Sequence, residues 1–152
     1  MRKRRVFRLQ DGFKSEHSTK GLLVYKRRVQ FYETDAQGIV HHSNYFRYFE
    51  EARGELLRHI GYPYSKMRES GYEVVLLEAS AKFKKPLFYD EEVHIILNLE
   101  HMDRFTFTFS YRIEVEGNLR AEGATRHCVL KDRKPVSIPQ EIRTRLDGEA
   151  RK

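Results

Sequence analysis

A single cysteine, Cys128, stands in the whole sequence. It can form no internal disulfide, it excludes a cysteine-rich zinc site, and such usage suits a reducing compartment. No stretch approaches the roughly 18 consecutive apolar residues that a helix needs to cross a bilayer. The opening Met-Arg-Lys-Arg-Arg is followed by no apolar core of the kind a secretory signal carries. A cytoplasmic protein without a transmembrane segment is therefore expected. No GxSxG nucleophile elbow and no HExxH zinc motif occurs. Internal repeats and low-complexity tracts are also absent.

The 152 residues suit one domain. A chain of this size buries roughly two-thirds of its unfolded surface, enough for a core without covalent staples. Ten Phe and nine Tyr supply much of it. The net charge of +7 is unevenly placed. Residues 1–28 hold ten Lys/Arg against two Asp/Glu, whereas the remaining 124 residues hold 19 and 20. The basic character thus belongs to an N-terminal arm over 1–20 and the start of the domain at 21–152. A solvated tail accounts for such an arm, and nucleic acid is not the expected partner.

Beyond residue 20, period-2 patterns dominate. Tyr25, Arg27, Val29 and Phe31 share one parity, as do Val75, Leu77, Ala79, Ala81 and Phe83, and Val93, Ile95, Leu97 and Leu99. The clearest run alternates Phe105, Phe107, Phe109, Tyr111, Ile113 and Val115 with Thr106, Thr108, Ser110, Arg112 and Glu114, predicting a strand with one apolar and one solvated face. "EGN" at 116–118 reads as a hairpin turn, and a strand of ambiguous parity follows over about 119–131. "DRKP" at 132–135 reads as a turn and "IPQEIRTRL" as a short terminal helix. One helix looks long. From about Asn44 to Ile60, Tyr45, Phe49, Ala52, Leu56 and Ile60 recur at three and four residues, with Ser43 or Asn44 as cap and Gly61 as terminator. Gly54 inside it suggests close packing or a merely tolerated glycine. A short second helix with Pro63 in its first turn is expected next. The sum is α+β, an antiparallel sheet covering one long helix.

The stretch "FYETDAQGIVHHSNYFRYFEEAR", 31–53, holds the candidate chemistry. Gly38 lets the backbone fold back, so Asp35 can face the first turn of the helix. The first N–H groups of a helix lack internal partners and carry partial positive charge, which suits a developing oxyanion. An aspartate opposite them could attack a carbonyl or activate a water, and a thiolate leaves without much acid help. Local hydrogen bonding of Asp35 in the turn is the plainer alternative. His41 and His42 could join Asp35 around a metal, but adjacent side chains diverge and no further ligand is near in sequence, so no metal is expected.

The segment 27–62 resembles the signature of the 4-hydroxybenzoyl-CoA thioesterase family of hotdog-fold enzymes, closest to the Tol–Pal-cluster type of acyl-CoA thioesterase. The matching residues are Glu33, Thr34, Asp35, Gly38, Ile39, Val40, His41, His42, Ser43, Asn44 and Tyr45. "ASAKFKKPLFYDEEV", with Pro86 and Asp90, and "KPVSIPQEI" add support. The resemblance implies a sheet wrapped around one central helix, and an acyl-CoA substrate, short aliphatic or aromatic, hydrolysed without cofactor. Asp35 would be the catalytic carboxylate, as nucleophile through an anhydride or as general base. The backbone N–H of His42 would hold the carbonyl, with His42 itself matching the Tol–Pal-type histidine. Gly38, Val40, His41 and Tyr45 would bind substrate, His41 standing where the family commonly has an aromatic. A homodimer or homotetramer is implied, with the thioester at a subunit interface. Hydrolysis of acyl carrier protein or dihydroxynaphthoyl-CoA thioesters, and acyl binding without catalysis, are the alternatives.

Overall fold

A computed structural model describes residues 21–150. The arm over 1–20 lies outside the described residues. Six strands, β1 (Leu23–Arg28), β2 (Tyr72–Phe83), β3 (Glu92–Met102), β4 (Thr106–Val115), β5 (Asn118–Lys131) and β6 (Lys134–Val136), form one antiparallel sheet in the order β1-β3-β4-β5-β2, with β6 pairing β5. Three helices accompany them: α1 (Ser43–His59), α2 (Tyr64–Glu69) and α3 (Gln140–Ala150). The architecture is α+β, as expected. Short hairpins join β3 to β4 and β4 to β5. The second runs through Glu116 and Gly117, both at positive φ, as the "EGN" signal predicts. β2 and β3 are not neighbours, however. Residues 84–91 carry the chain from one side of the sheet to the other, and that crossing proves central to the site.

The 17-residue α1 lays Tyr45, Tyr48, Phe49, Ala52 and Leu56 into the core with Ile95, Leu97, Phe109, Tyr111 and Ile113 of the sheet. Each fully buried large side chain contributes about 1.5–3 kcal/mol. Gly61, at φ +76°, ends the helix as predicted: its N–H reaches the Arg58 carbonyl and that of Tyr62 the Leu57 carbonyl. The suggested close packing at Gly54 is not found. A Cβ there would meet only the Arg58 guanidinium, 3.5 Å away. The tight approach is instead at Gly123 of β5, where a Cβ would fall 2.4 Å from the Phe49 ring. The absent side chain lets Phe49 stack on Tyr111, 4.2 Å between centroids, and Tyr111 is the cross-strand partner of Gly123. Gly123→Ala is expected to push the helix off the sheet and cost about 1–3 kcal/mol; urea unfolding checks it.

Two parity expectations fail for identifiable reasons. Thr108, Ser110 and Arg112, expected in water, are 6%, 1% and 9% exposed. β4 is the middle strand, and long ion-paired neighbours shade its polar side: Ser110 donates to Glu100 at 2.6 Å and Arg112 grips Glu114 at 3.0 Å. In β2, a bulge between Leu76 and Glu78 inserts Leu77 without a partner on β5. Parity flips there, so Val74 and Ala81 pack on the core while Leu76 and Leu77 stand 54% and 45% exposed. The short strand β6 falls partly in the stretch read as a turn; Pro135 sits in it because β6 has a free edge.

Candidate active site

β1 stops at Arg28, earlier than the pattern predicts. Phe31, expected to face inward, lies in a 3-10 turn over Phe31–Glu33 and is 74% exposed, edge-on to Tyr89. The cause is Glu33, whose buried carboxylate accepts the Gln30 N–H at 2.7 Å and bends the chain. A tight loop follows. Thr34 bridges Val40, the Asp35 N–H donates to the Ile39 carbonyl at 2.9 Å, and the Gly38 N–H to the Asp35 carbonyl at 2.9 Å. Gly38 sits at φ +79°, where a side chain would be strained. The Val40 N–H donates to the Leu87 carbonyl and Ile39 bridges Phe88, fastening the loop to the crossing segment.

The start of α1 is not capped by Ser43 or Asn44. His42 takes the cap position without a side-chain bond to the helix. His41 Nδ1 accepts the Ser43 N–H at 3.2 Å and lies 2.8 Å from the Ser43 hydroxyl, so both groups of Ser43 are engaged locally. The Asn44 N–H reaches the His41 carbonyl, and that of Tyr45 the His42 carbonyl. Among the described residues, the N–H of His42 has no acceptor. The two imidazoles lie 4.1 Å apart between centroids, tilted by 33°.

What fixes the loop against the helix is a buried cluster. The Asn44 side-chain amide donates to the Glu33 carbonyl at 2.9 Å. The Glu33 carboxylate accepts from Arg27 at 2.7 Å, and Arg27 reaches Glu51 on α1 at 2.9 Å while lying 4.2 Å over the Tyr48 ring. Burial, and next the Glu33 charge, hold the Tyr48 phenol far above the usual tyrosine range. β1, the loop and α1 are thus tied through one guanidinium and two carboxylates.

Asp35 lies two residues past Glu33, partly exposed. Its Oδ1 accepts the Gln37 N–H at 2.8 Å; its other oxygen has no partner among the described residues. The plainer reading of this aspartate, local bonding, therefore accounts for one oxygen only. Asp35 lines a cleft of about 400 Å³ together with Gln37, Ile39, Val40, His42 and Tyr45. Phe83, Lys84, Lys85 and Pro86 complete it from the end of β2 and the crossing segment. Of the residues singled out in the sequence, Asp35, Val40, His42 and Tyr45 come together here. Gly38 shapes the loop, and His41 buttresses the helix start, but neither lines the cleft. Tyr45 is almost fully buried and meets Phe83 edge-on at 4.8 Å, so it both packs and walls the cleft. Gln37 and residues 83–86 were not singled out as site residues. The latter sit within the second matched stretch, and the Ile39–Phe88 bridge and the Val40–Leu87 bond bring them to Asp35.

Comparison with known proteins adds the chemistry of relatives. Residues 29–146 match the model of the thioesterase-like superfamily. A hypothetical protein from Aquifex aeolicus, known by its crystal structure, is 63% identical with a TM-score of 0.81, covering 82% of this chain and 98% of that one. A 1,4-dihydroxy-2-naphthoyl-CoA hydrolase from Thermosynechococcus vestitus is 31% identical over 122 residues, 78% of this chain and 84% of the relative. The solved structure of a gentisyl-coenzyme A thioesterase is 27% identical with a TM-score of 0.77, covering 82% of this chain and 99% of the other.

Proposed function

This chain belongs to the thioesterase-like superfamily of hotdog-fold proteins, and we propose that it is an acyl-CoA thioester hydrolase whose working carboxylate is Asp35. The observation that carries the reading is the pairing, in the lining of one cleft, of Asp35 and His42: among the described residues, one Asp35 carboxylate oxygen has no partner and the His42 N–H at the start of α1 has no acceptor. The thioester carbonyl sits at the His42 N–H, where the helix start favours negative charge. Asp35 then attacks the carbonyl carbon, expelling the thiolate and leaving an anhydride that water opens, or it takes a proton from a water that attacks instead. The carbonyl electron pair returns as the carbon–sulfur bond breaks, and the thiolate leaves in either route.

Val40, Ile39, Tyr45, Phe83 and Pro86 give the cleft an apolar wall that accepts an aromatic or short aliphatic acyl group. The aromatic half of this reading is favoured by the Tyr45–Phe83 pair and by relatives that act on naphthoyl and gentisyl thioesters. The Tol–Pal type is a narrower form of the same proposal, supported by His42. A screen across aromatic, short aliphatic and long aliphatic CoA thioesters, with acyl carrier protein thioesters alongside, tests it. Turnover of at least one class is expected; tight binding of acyl-CoA without any turnover would sink the enzymatic reading.

The working unit is proposed to be a dimer or a tetramer. β2 is an edge strand of 12 residues with Leu76 and Leu77 exposed. A long apolar edge of this kind calls for cover, and a second copy pairing along the same edge supplies it symmetrically. Sedimentation equilibrium is expected to give a multiple of the chain mass. Leu76→Glu with Leu77→Glu is expected to shift it to the monomer.

A further inference from the structure

Two lysines of the cleft have no job in the chemistry above. Lys84 and Lys85 are consecutive, and in an extended strand consecutive residues face opposite sides. Both nonetheless line the cleft, because the chain bends as it leaves β2. The bend is built. The N–H groups of Lys84 and Lys85 both donate to the Arg120 carbonyl, at 2.8 and 3.0 Å. The Arg120 guanidinium donates to the Pro86 carbonyl at 2.6 Å and clasps the Glu91 carboxylate at 3.1 and 2.9 Å. Glu91 is thereby spent on Arg120, and neither lysine has a side-chain partner among the described residues. Among the described residues, two exposed cations without an ion-pair partner therefore flank a cleft whose one carboxylate is Asp35.

We infer that Lys84 and Lys85 are the cationic lip that receives the phosphate groups of the coenzyme A half of the substrate. The inference rests on the thioesterase reading of the cleft. The charge and exposure of the two lysines decide which half of the substrate is met. The acyl group must start at the His42 N–H, against Asp35 and an apolar wall, where an anionic acyl group would be repelled by the aspartate. The phosphates ride on the thiol side and need cations in the open, which is where solvated lysine ammonium groups serve as point charges. The basic arm over 1–20 is not required for this role.

The test compares one acyl group on coenzyme A and on N-acetylcysteamine, which carries the thioester but no phosphate. In the Lys84→Met/Lys85→Met variant, the ratio of kcat/KM for the CoA ester to that for the truncated ester is expected to fall about tenfold or more. The fall should come through KM, with a flatter dependence on salt than the parent shows. A ratio that stays at the parental value overturns the inference, and so does an equal fall on both esters, which would place the lysines on the acyl group or the chemistry. Should the parent cleave neither ester, the thioesterase reading fails. Calorimetric binding of coenzyme A to parent and variant then still scores the lysines: a weakening of about tenfold supports them, and equal affinity overturns them.

Discussion

Asp35→Asn is expected to lower kcat on every thioester that the parent cleaves by about a thousandfold, with the fold intact. The substitution is well suited to the geometry. The side-chain amide it introduces keeps an oxygen where Oδ1 now accepts the Gln37 N–H, so the loop that closes through Gly38 retains its bonds. What goes is the negative charge and the basic oxygen that has no partner among the described residues. An amide is no base at neutral pH and a poor nucleophile, so both routes stop. The residual rate should reflect binding and the polarising N–H of His42, which the substitution leaves in place. KM should change little. Circular dichroism and the unfolding midpoint control for the fold; an unchanged kcat would remove Asp35 from the chemistry. Single-turnover reaction with hydroxylamine separates the two routes, since attack on the Asp35 side of an anhydride releases the acyl carboxylate and leaves a hydroxamate on the protein, which base-activated water does not.

Much of this site was legible in the sequence because it is local. Asp35, Gly38 and the start of α1 lie within nine residues, and a turn followed by an amphipathic stripe brings an acid near a helix end, a placement that Arg27, Leu87 and Phe88 then fix. The antiparallel hairpins around "EGN" were legible for the same reason. Three other features were not. Parity in β2 broke at a bulge, which has no signature in the pattern of Leu76, Leu77 and Glu78. The polar side of β4 was buried by its place in the strand order, which alternation does not encode. The cleft walls at 83–86 depended on a crossing from β2 to β3 that brings Phe88 to Ile39, a contact across 49 positions of sequence. Helix capping failed on a subtler point: Ser43 and Asn44 are good cap residues, but each finds a better partner, His41 and the Glu33 carbonyl.

Glu33→Ala is expected to be the most damaging change outside the cleft, costing about 3–5 kcal/mol of stability and lowering kcat by a further order of magnitude or more in whatever remains folded. Glu33 does three things at once. Its carboxylate holds the Gln30 N–H and so makes the turn that ends β1 early. It neutralises Arg27, which is 11% exposed at the side chain and cannot easily reach water instead. Its backbone carbonyl, which alanine keeps, receives both the His41 N–H and the Asn44 amide, so the variant loosens the loop bearing Asp35 only through the lost turn and the lost Arg27 contact. Removing the carboxylate leaves Arg27 with Glu51 alone, a partner 41% exposed and weakened by solvent, so the stability loss should lie nearer the lower bound. Glu33→Gln separates charge from shape: it can still accept from Gln30 and Arg27, and should recover most of kcat while recovering only part of the stability. If instead Glu33→Ala unfolds at the parental urea midpoint, the carboxylate does not hold the loop, and the placement of Asp35 must come from the contacts that remain: the Thr34–Val40 and Ile39–Phe88 bridges, the Val40–Leu87 bond and the Glu33 backbone carbonyl.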